Sequence, residues 1–496
     1  MGTVSCTNQL NAALGRLSPA APGAPSLNSD SLGQACDLRS LVTGVETQAP
    51  LLGGARRQYV NLDNAATTPP FRGVMDQVNG FVNWYSSVHR GAGFKSYLST
   101  ELYERCRQIV LDFVGGSPSH HTVIFCCNTT DAVNYLCRRL KLRDDELVLT
   151  TLMEHHSNLL PWRLAGPVDY VGICQEDGSL DMAQLEAKLA AHGGRVKLVA
   201  VTGASNVTGF MPPVRRIARL AHEHGAWLLV DAAQLIAHRP VSMGGADDPE
   251  RIDFLAFSGH KMYAPFGSGA LVGPREAFGE GTPSRVGGGA VDLVTLNDIE
   301  WAAAPEKEEA GTPNLMGALA LAKAAQIMGQ IGMERVAQHE RELTREALKR
   351  LSRIARIRVF GQVDPLLRND RLGVIPIQAD NMDHALLAAV LSYEWGIGVR
   401  NGCFCAHPYM ERLLGLDDKE MERILSCVRC GDHRALPGFV RISVGLYNNL
   451  EEIDYLAHAL EEIMRNGPQG VYLSDKQTGT YRPEGFTFDL SDAPFL

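Results

Sequence analysis

The chain is predicted to be an α/β protein, with a large domain built on a mostly parallel central sheet and a smaller C-terminal α+β domain. Three observations predict this. Apolar runs of strand length alternate with helical spacing between about residues 120 and 275. Nearly every such run ends in a polar cluster, the arrangement of an open sheet whose strand ends carry a site. Past Met333 the pattern changes to a long amphipathic helix, Val336 to Leu351, followed by strands and shorter helices.

The totals exclude several function classes. With 496 residues the chain is too long for one simple core. Its 45% hydrophobic and 21% charged content is that of a soluble globular protein. No apolar run reaches membrane-spanning length, and no charged-then-apolar leader is present, so no membrane role is expected. A net charge of −9 offers no basic field for phosphates, which argues against a nucleic-acid partner. Eleven cysteines, an odd number scattered through the chain, fit a reducing compartment and free thiols. The cytoplasm is the expected location.

Residues 1–57 are rich in Ala, Pro, Gly and Ser without sustained periodicity and read as a flexible arm. The large domain is expected over residues 58–332. It begins with a short strand at Tyr59 that enters the turn Asp63-Asn-Ala-Ala-Thr-Thr-Pro-Pro70. The loop Ser87-Val-His-Arg-Gly91 follows, and helical spacing resumes through Leu102, Cys106, Ile109, Val110 and Phe113. Val123–Cys127 reads as a strand, and Asn128-Thr-Thr-Asp131 caps the next helix. A helix start of that kind is either an anion cradle or a simple cap. Glu146–Leu152 runs into Glu154-His-His-Ser-Asn158, and Leu198–Thr202 into Ala204-Ser-Asn206. Trp227–Asp231 ends in Asp231-Ala-Ala-Gln234. The fifth run, Ile252–Phe257, delivers Ser258-Gly-His-Lys261 into a Gly-rich turn before Ala270–Val272.

Lys261 is the residue around which the rest is arranged. A lysine held near apolar walls at a strand end has a depressed pKa and a usable neutral amine, whereas one pointing into water does not. The other strands supply hydroxyls at a helix start, an imidazole, an amide and a carboxylate. Together these are the parts a pyridoxal phosphate site needs.

The small domain is expected over residues 333–464, with a strand at Arg371–Ile377, a helix opened by Asp383 and a last helix opened by the capping-box pattern Asn449-Leu-Glu-Glu452. Residues 465–496 read as a polar tail. Between these elements lies Arg400-Asn-Gly-Cys403-Phe-Cys405-Ala-His-Pro408. Cysteines here have several readings. Cys405 and Cys403 can be reactive thiols or small buried hydrophobes. Cys403, Cys405, Cys427 and Cys430 can also supply a zinc site, or Cys427 and Cys430 a redox pair.

Taken together, Asp63-Asn-Ala-Ala-Thr67, Val88-His-Arg-Gly91, Glu154-His-His-Ser-Asn158, Ser205-Asn206, Asp231-Ala-Ala-Gln234, Ser258-Gly-His-Lys261, Gly287-Gly-Gly289, Glu309-Ala-Gly-Thr-Pro-Asn314 and Arg441 resemble the class V aminotransferase family of fold-type I pyridoxal-phosphate enzymes. Within it the chain is most similar to the cysteine desulfurase and selenocysteine lyase branch. The resemblance covers roughly residues 59–464. It implies that Lys261 attaches to the cofactor and moves protons, that His155 stacks on its ring and that Asp231 pairs with the ring nitrogen. Asn206 and Gln234 are implied at the phenolic oxygen. Thr129, Thr130, Ser258 and His260 are implied at the phosphate, with Thr312 reaching in from a neighbouring subunit of a homodimer. Arg441, with Asn206, His89 and Ala65, is implied to hold the substrate. Cys405 falls on the mobile cysteine of the Arg-x-Gly-x-x-Cys loop, which implies conversion of L-cysteine to L-alanine with a persulfide passed to an acceptor protein. Cys403 and the long insertion before Arg441 depart from the short-loop enzymes and resemble the desulfurase domain of molybdenum cofactor sulfurase. Selenocysteine or cystine lysis, epimerisation, and a scaffold without turnover are the competing readings.

Overall fold

Residues 37–89, 91–363 and 371–487 are described by the computed structural model. A seven-stranded sheet forms the large domain: β1 (His121–Cys126), β2 (Leu147–Thr151), β3 (Val168–Val171), β4 (Val196–Thr202), β5 (Trp227–Asp231), β6 (Phe254–Ser258) and β7 (Gly269–Pro274). Their order is β1-β7-β6-β5-β4-β2-β3. All pairs are parallel except those made by β7, which runs antiparallel to both β1 and β6. Strands β2, β5, β6 and β7 are buried almost throughout, which is why they read as continuous apolar runs rather than alternating ones. Only the edge strand β3, half-buried and carrying Asp169, had no clear sequence signal.

The helix Thr129–Leu140 starts where β1 ends, capped by the Asn128 side chain accepting from Asp131 N–H at 2.9 Å. Gly269 lets this helix start sit tightly against the Lys261 strand. A Cβ there would lie 2.8 Å from Asn128 Cα and 2.6 Å from the Phe257 carbonyl oxygen. No larger residue fits.

A second sheet, β8 (Ile357–Val359), β9 (Val374–Ala379), β10 (Arg400–Gly402) and β11 (Phe439–Ser443), is antiparallel with order β8-β9-β11-β10. It shares a core with the helices Met333–Leu351, His384–Trp395 and Leu450–Asn466. Asp383 caps the second of these, and Asn449 with Glu452 forms the capping box of the third. Val60 and Leu62 also belong to this core, because Val60–Asn61 pairs in parallel with Ile397–Gly398. β9 starts later than the sequence indicated. Leu372 N–H instead donates to Gly209 at 2.8 Å, and the buried Arg371 guanidinium is spent on backbone carbonyls such as Val374 at 2.6 Å.

Two segments differ from expectation. Residues 1–36 of the predicted arm lie outside the described residues, but 37–57 are folded: Val42 and Val45 join the core of the large sheet, and Leu52 N–H donates to the Tyr393 carbonyl of the small domain at 2.7 Å. A short 3-10 turn at Leu38–Leu41 buries Val42 completely, and Gln48–Pro50 pairs with Arg56–Gln58. Arg39 secures the segment through Glu452 Oε1 at 2.8 Å and the Val45 carbonyl at 2.9 Å. The Glu452 bond spans 413 residues, so no local periodicity announces it. The tail likewise continues the last helix to Asn466 and then forms a hairpin, Tyr472–Ser474 with Tyr481–Pro483. Glu394 anchors the hairpin through Tyr472 Oη at 3.0 Å. Residues 488–496 lie outside the described residues. Among the described residues no helix is long and apolar enough to cross a membrane.

Replacing Arg39 with Ala removes charged hydrogen bonds worth about 1.5–3 kcal/mol. The expected outcome is release of the 37–57 segment, read as faster tryptic cleavage at Arg56-Arg57. An unchanged cleavage rate would show that Val42 burial alone holds it.

Candidate active site

The C-terminal ends of β1, β2, β4, β5 and β6 open on one cavity of about 320 Å³, closed from the other side by the small domain. The cavity wall carries Ala65, Thr129, Thr130, His155, Asn206, Asp231, Gln234, Ser258, His260, Lys261, Cys405 and Arg441. Residues separated by up to 376 positions thus converge because parallel strands all end on the same side.

Lys261 follows β6 in a short 3-10 turn, Gly259–Lys261. Gly259 is needed there, since a Cβ would meet Ser268 Oγ at 2.7 Å and the Ser268 carbonyl at 3.0 Å. Burial lowers the Lys261 pKa to about 8, with Arg441 adding to the effect and Asp231 and Cys405 opposing it. Asp231 is 4% exposed. Burial raises its pKa, against the Ala233 N–H donated to Oδ1 at 2.9 Å and the Lys261 charge.

His155 is neutral: burial, then Lys261, His156 and Arg441, hold its pKa down to about 3. Ser157 N–H donates to His155 Nδ1 at 3.1 Å, so the ring proton sits on Nε2. Beneath it lies Glu154, wholly buried, whose pKa burial raises to about 8. It accepts from Thr151 Oγ1 at 2.6 Å, Asn158 Nδ2 at 2.7 Å and Thr202 N–H at 2.9 Å. Gln234 Nε2 donates to the Ala65 carbonyl at 2.7 Å, fixing the entry turn against the end of β5.

At the helix start, Thr129 N–H and Oγ1 both meet Ser258 Oγ, at 2.8 and 2.7 Å. Thr130 Oγ1 lies 2.6 Å from Ser157 Oγ. Burial, then Lys261, lowers the His260 pKa to about 4, so this imidazole is neutral as well. Hydroxyls at a helix N-terminus are chemically suited to an anion.

Arg441, on β11, is 3% exposed. Its guanidinium donates to Asp63 Oδ1 and the Asn206 carbonyl, each at 3.1 Å, and lies 4.7 Å from the centre of the Phe404 ring. Its Nε has no hydrogen-bond partner. Burial lowers its pKa to about 10 while Asp63 supports the charge, so it stays cationic. Asn206 Nδ2 donates to the Phe404 carbonyl at 2.7 Å, and His156 N–H to the Cys405 carbonyl at 2.8 Å. The cysteine loop is therefore pinned by its backbone, while the exposed Cys405 side chain lies on the cavity wall.

Two sequence-identified residues are not brought to this cavity. His89 is held on the helix Phe94–Phe113 side, with Nε2 3.4 Å from Glu104 Oε1 and its ring edge-on to Tyr103. Thr312 sits exposed in a loop. The zinc alternative is likewise not assembled. Among the described residues no group of three or more His, Cys, Asp or Glu side chains is placed to hold a metal. Cys403, Cys405, Cys427 and Cys430 are all free thiols, so Cys427 and Cys430 form no disulfide. Residues to which the sequence assigns no role in the site also line the wall, among them Ser157, Arg400 and Phe404. Arg400 had been only a spacing mark for Cys405, yet it pairs with Asp63 Oδ2 at 2.9 Å.

The profile of the family "Aminotransferase class-V" matches residues 60–456. The chain belongs to that family. It is similar to a probable cysteine desulfurase of Halalkalibacterium halodurans, at 33% identity over 81% of this chain and 92% of the relative. A probable cysteine desulfurase of Mycolicibacterium paratuberculosis is 34% identical over 82% of this chain, which spans 55% of that longer protein. Among solved structures, the apo cysteine desulfurase of Thermococcus onnurineus NA1 superimposes with a TM-score of 0.71 at 30% identity, over 82% of this chain and 95% of that one. Members of the family are pyridoxal-phosphate dependent.

A lysine with a pKa of about 8 exposes its free amine at far lower pH than ordinary lysines. Reductive methylation of the cofactor-free protein should therefore modify Lys261 with a rate that rises through about pH 8 and levels above it. Asp231→Asn removes the charge that favours the ammonium and moves this midpoint lower. A midpoint near that of surface lysines would show that Lys261 is not desolvated.

Proposed function

We propose that the chain is a pyridoxal-phosphate-dependent cysteine desulfurase that converts L-cysteine to L-alanine and carries the sulfur as a persulfide on Cys405. The observation that carries this reading is that Cys405, Lys261 and Arg441 line one cavity.

The wall fits the cofactor by the chemistry of its donors. Lys261 is an amine near its pKa, Asp231 is a buried carboxylate awaiting a cationic partner, and the hydroxyls of Thr129, Thr130 and Ser258 stand at a helix start. Lys261 would hold the aldehyde carbon, Asp231 the ring N–H, and His155 one ring face. Thr129, Thr130, Ser258 and His260 would take the phosphate, and Asn206 and Gln234 the phenolic oxygen. When bound, pyridoxal phosphate supplies an electron sink that weakens bonds at the substrate's Cα.

The chain's own groups do the rest. Arg441 grips the substrate carboxylate with a guanidinium kept charged and desolvated, which favours a directed contact. Ala65 bounds the space beside it. Lys261 Nζ accepts and returns the Cα proton, a task suited to an amine with a pKa of about 8. Cys405 Sγ attacks the substrate sulfur. An S–S bond forms as the Cβ–S bond breaks, and protonation of the carbon fragment yields alanine.

The enzyme works as a homodimer on this reading. Leu293, Val294, Leu296 and Ile299 stand exposed on and beside the hairpin Val291–Val294 and Ile299–Trp301, between Gly287-Gly-Gly289 and Thr312. An apolar face of that kind beside Thr312 fits a second copy whose site Thr312 completes. The cytoplasm suits it, because the Cys405 thiol must be free before each turnover. A sulfur-acceptor protein then takes the persulfide.

Incubating the pyridoxal-phosphate-loaded protein with L-cysteine should yield alanine, with persulfide mapped to Cys405 by mass spectrometry. Cys405→Ser should bind L-cysteine and make no alanine. Alanine formation by Cys405→Ser at the unaltered rate would remove Cys405 from the reaction. Sulfide release without alanine would point to a lyase of another type.

Arg441→Ala should raise KM for L-cysteine by on the order of 10- to 100-fold, the equivalent of about 1.5–3 kcal/mol for a charged hydrogen-bonded contact. An unchanged kcat/KM would assign the carboxylate to Arg400.

A further inference from the structure

Cys403 stands two residues from Cys405, but it is not on the cavity wall. Its half-buried thiol belongs to a tight turn closed by Ala406 N–H donating to the Cys403 carbonyl at 3.0 Å. Phe404 and Cys405 both adopt the left-handed conformation, with φ of 55° and 56°. Two successive non-glycine residues in this region are costly and persist only where the surroundings enforce them. Here the Asn206 and His156 hydrogen bonds to the carbonyls of Phe404 and Cys405 enforce them.

Burial holds the Cys403 thiol above its ordinary pKa, opposed by the backbone N–H groups of the turn, so it needs a base to ionise. His407 Nδ1 lies 3.6 Å from Cys403 Sγ and 3.1 Å from His156 Nε2. The two imidazoles stack with centroids 5.0 Å apart and an interplanar angle of 5°, and burial keeps both neutral by lowering their pKa values. His156 Nε2 accepts from the His407 backbone N–H at 3.4 Å, so it carries a lone pair toward His407. With its own proton on Nε2, His407 accepts the Cys403 proton at Nδ1, and the N–H so formed donates to the His156 Nε2 lone pair. A thiol, a base and a second base in line form an activated nucleophile. The first-turn chemistry at Cys405 uses none of these three groups.

We propose that Cys403 is a second sulfur carrier, which takes the sulfane sulfur from Cys405 and holds it outside the cavity. The inference rests on the desulfurase reading above. The Cys403 thiolate attacks the outer sulfur of the Cys405 persulfide. A Cys403–sulfur bond forms as the bond from that sulfur to Cys405 Sγ breaks, and its electron pair leaves on Cys405 as thiolate. The Cys403 proton, held on the His407–His156 pair, returns to Cys405. One persulfide replaces another, so no oxidant or reductant is consumed. Cys405 is then free to act again before any acceptor arrives. Cys403 and Cys405 flank Phe404 within one tight turn, so the transfer asks only for rotation of their side chains within that turn.

The test is a limited turnover of the pyridoxal-phosphate-loaded full chain, reduced beforehand and freed of reductant, with excess L-cysteine and no acceptor. Alanine per protomer is counted, and sulfane sulfur is mapped by alkylation and peptide mass spectrometry. The wild type should make two alanines in a rapid phase, with label on both Cys403 and Cys405. Cys403→Ser should make one, with label on Cys405, and Cys405→Ser should carry no label on Cys403. His407→Asn should slow the second alanine relative to the first. The proposal is overturned if the wild type stops at one alanine with label only on Cys405, or if it stops at one with a Cys403–Cys405 disulfide. It is also overturned if Cys403→Ser still makes two, since the sulfur then lengthens on Cys405 itself. No alanine from any form would instead overturn the desulfurase reading.

Discussion

The structure depends on holding one lysine amine out of water beside one buried carboxylate. Lys261 and Asp231 sit at the ends of neighbouring strands, β6 and β5, whose flanks are wholly apolar. Desolvation alone would neutralise both groups, raising the acid and lowering the base. Their mutual attraction limits both shifts and leaves the amine poised near neutrality. Everything around the pair serves that balance. The strands exclude water, Gly259 and Gly269 allow the close packing, and Arg441 adds a positive field that pushes the amine further toward its neutral form.

The small domain contributes a different constraint. It brings Arg441 and Cys405 across the cavity on elements whose backbone is fixed to the large domain. Asn206, at the end of β4, is the hinge of that connection: its amide holds the Phe404 carbonyl and its own carbonyl receives Arg441. One residue thereby ties the Arg441 guanidinium to the loop that carries the thiols. Asp63 plays the matching part on the other side, accepting from both Arg441 and Arg400. The position of these two arginines is thus set by the entry turn of the large domain rather than by their own strands. The chain's thiols divide in the same way. Cys405 belongs to the cavity, and Cys403 to the imidazole pair behind it.

Much of this was legible beforehand, and the reason is local. Continuous apolar runs named β2, β4, β5 and β6, because strands buried on both faces cannot alternate. Asn128, Asp383 and Asn449 named helix starts, because capping is settled within three residues. Lys261, Asp231 and His155 were legible because each follows such a strand directly. Segments 37–57 and 467–483 were not. Their order comes from Arg39 meeting Glu452 and Tyr472 meeting Glu394, contacts between residues remote in sequence.

By itself the sequence determined the class of fold and the residue types delivered to one sheet edge. Hydrophobic periodicity and capping encode these, and both act over a few residues. Only the tertiary structure decided which of those residues share a cavity. It set His89 aside on Glu104, left Thr312 on the surface, brought in Arg400 and Ser157, and turned Cys403 toward His407. Those outcomes depend on desolvation and on hydrogen bonds between distant segments, and neither exists until the two cores are packed.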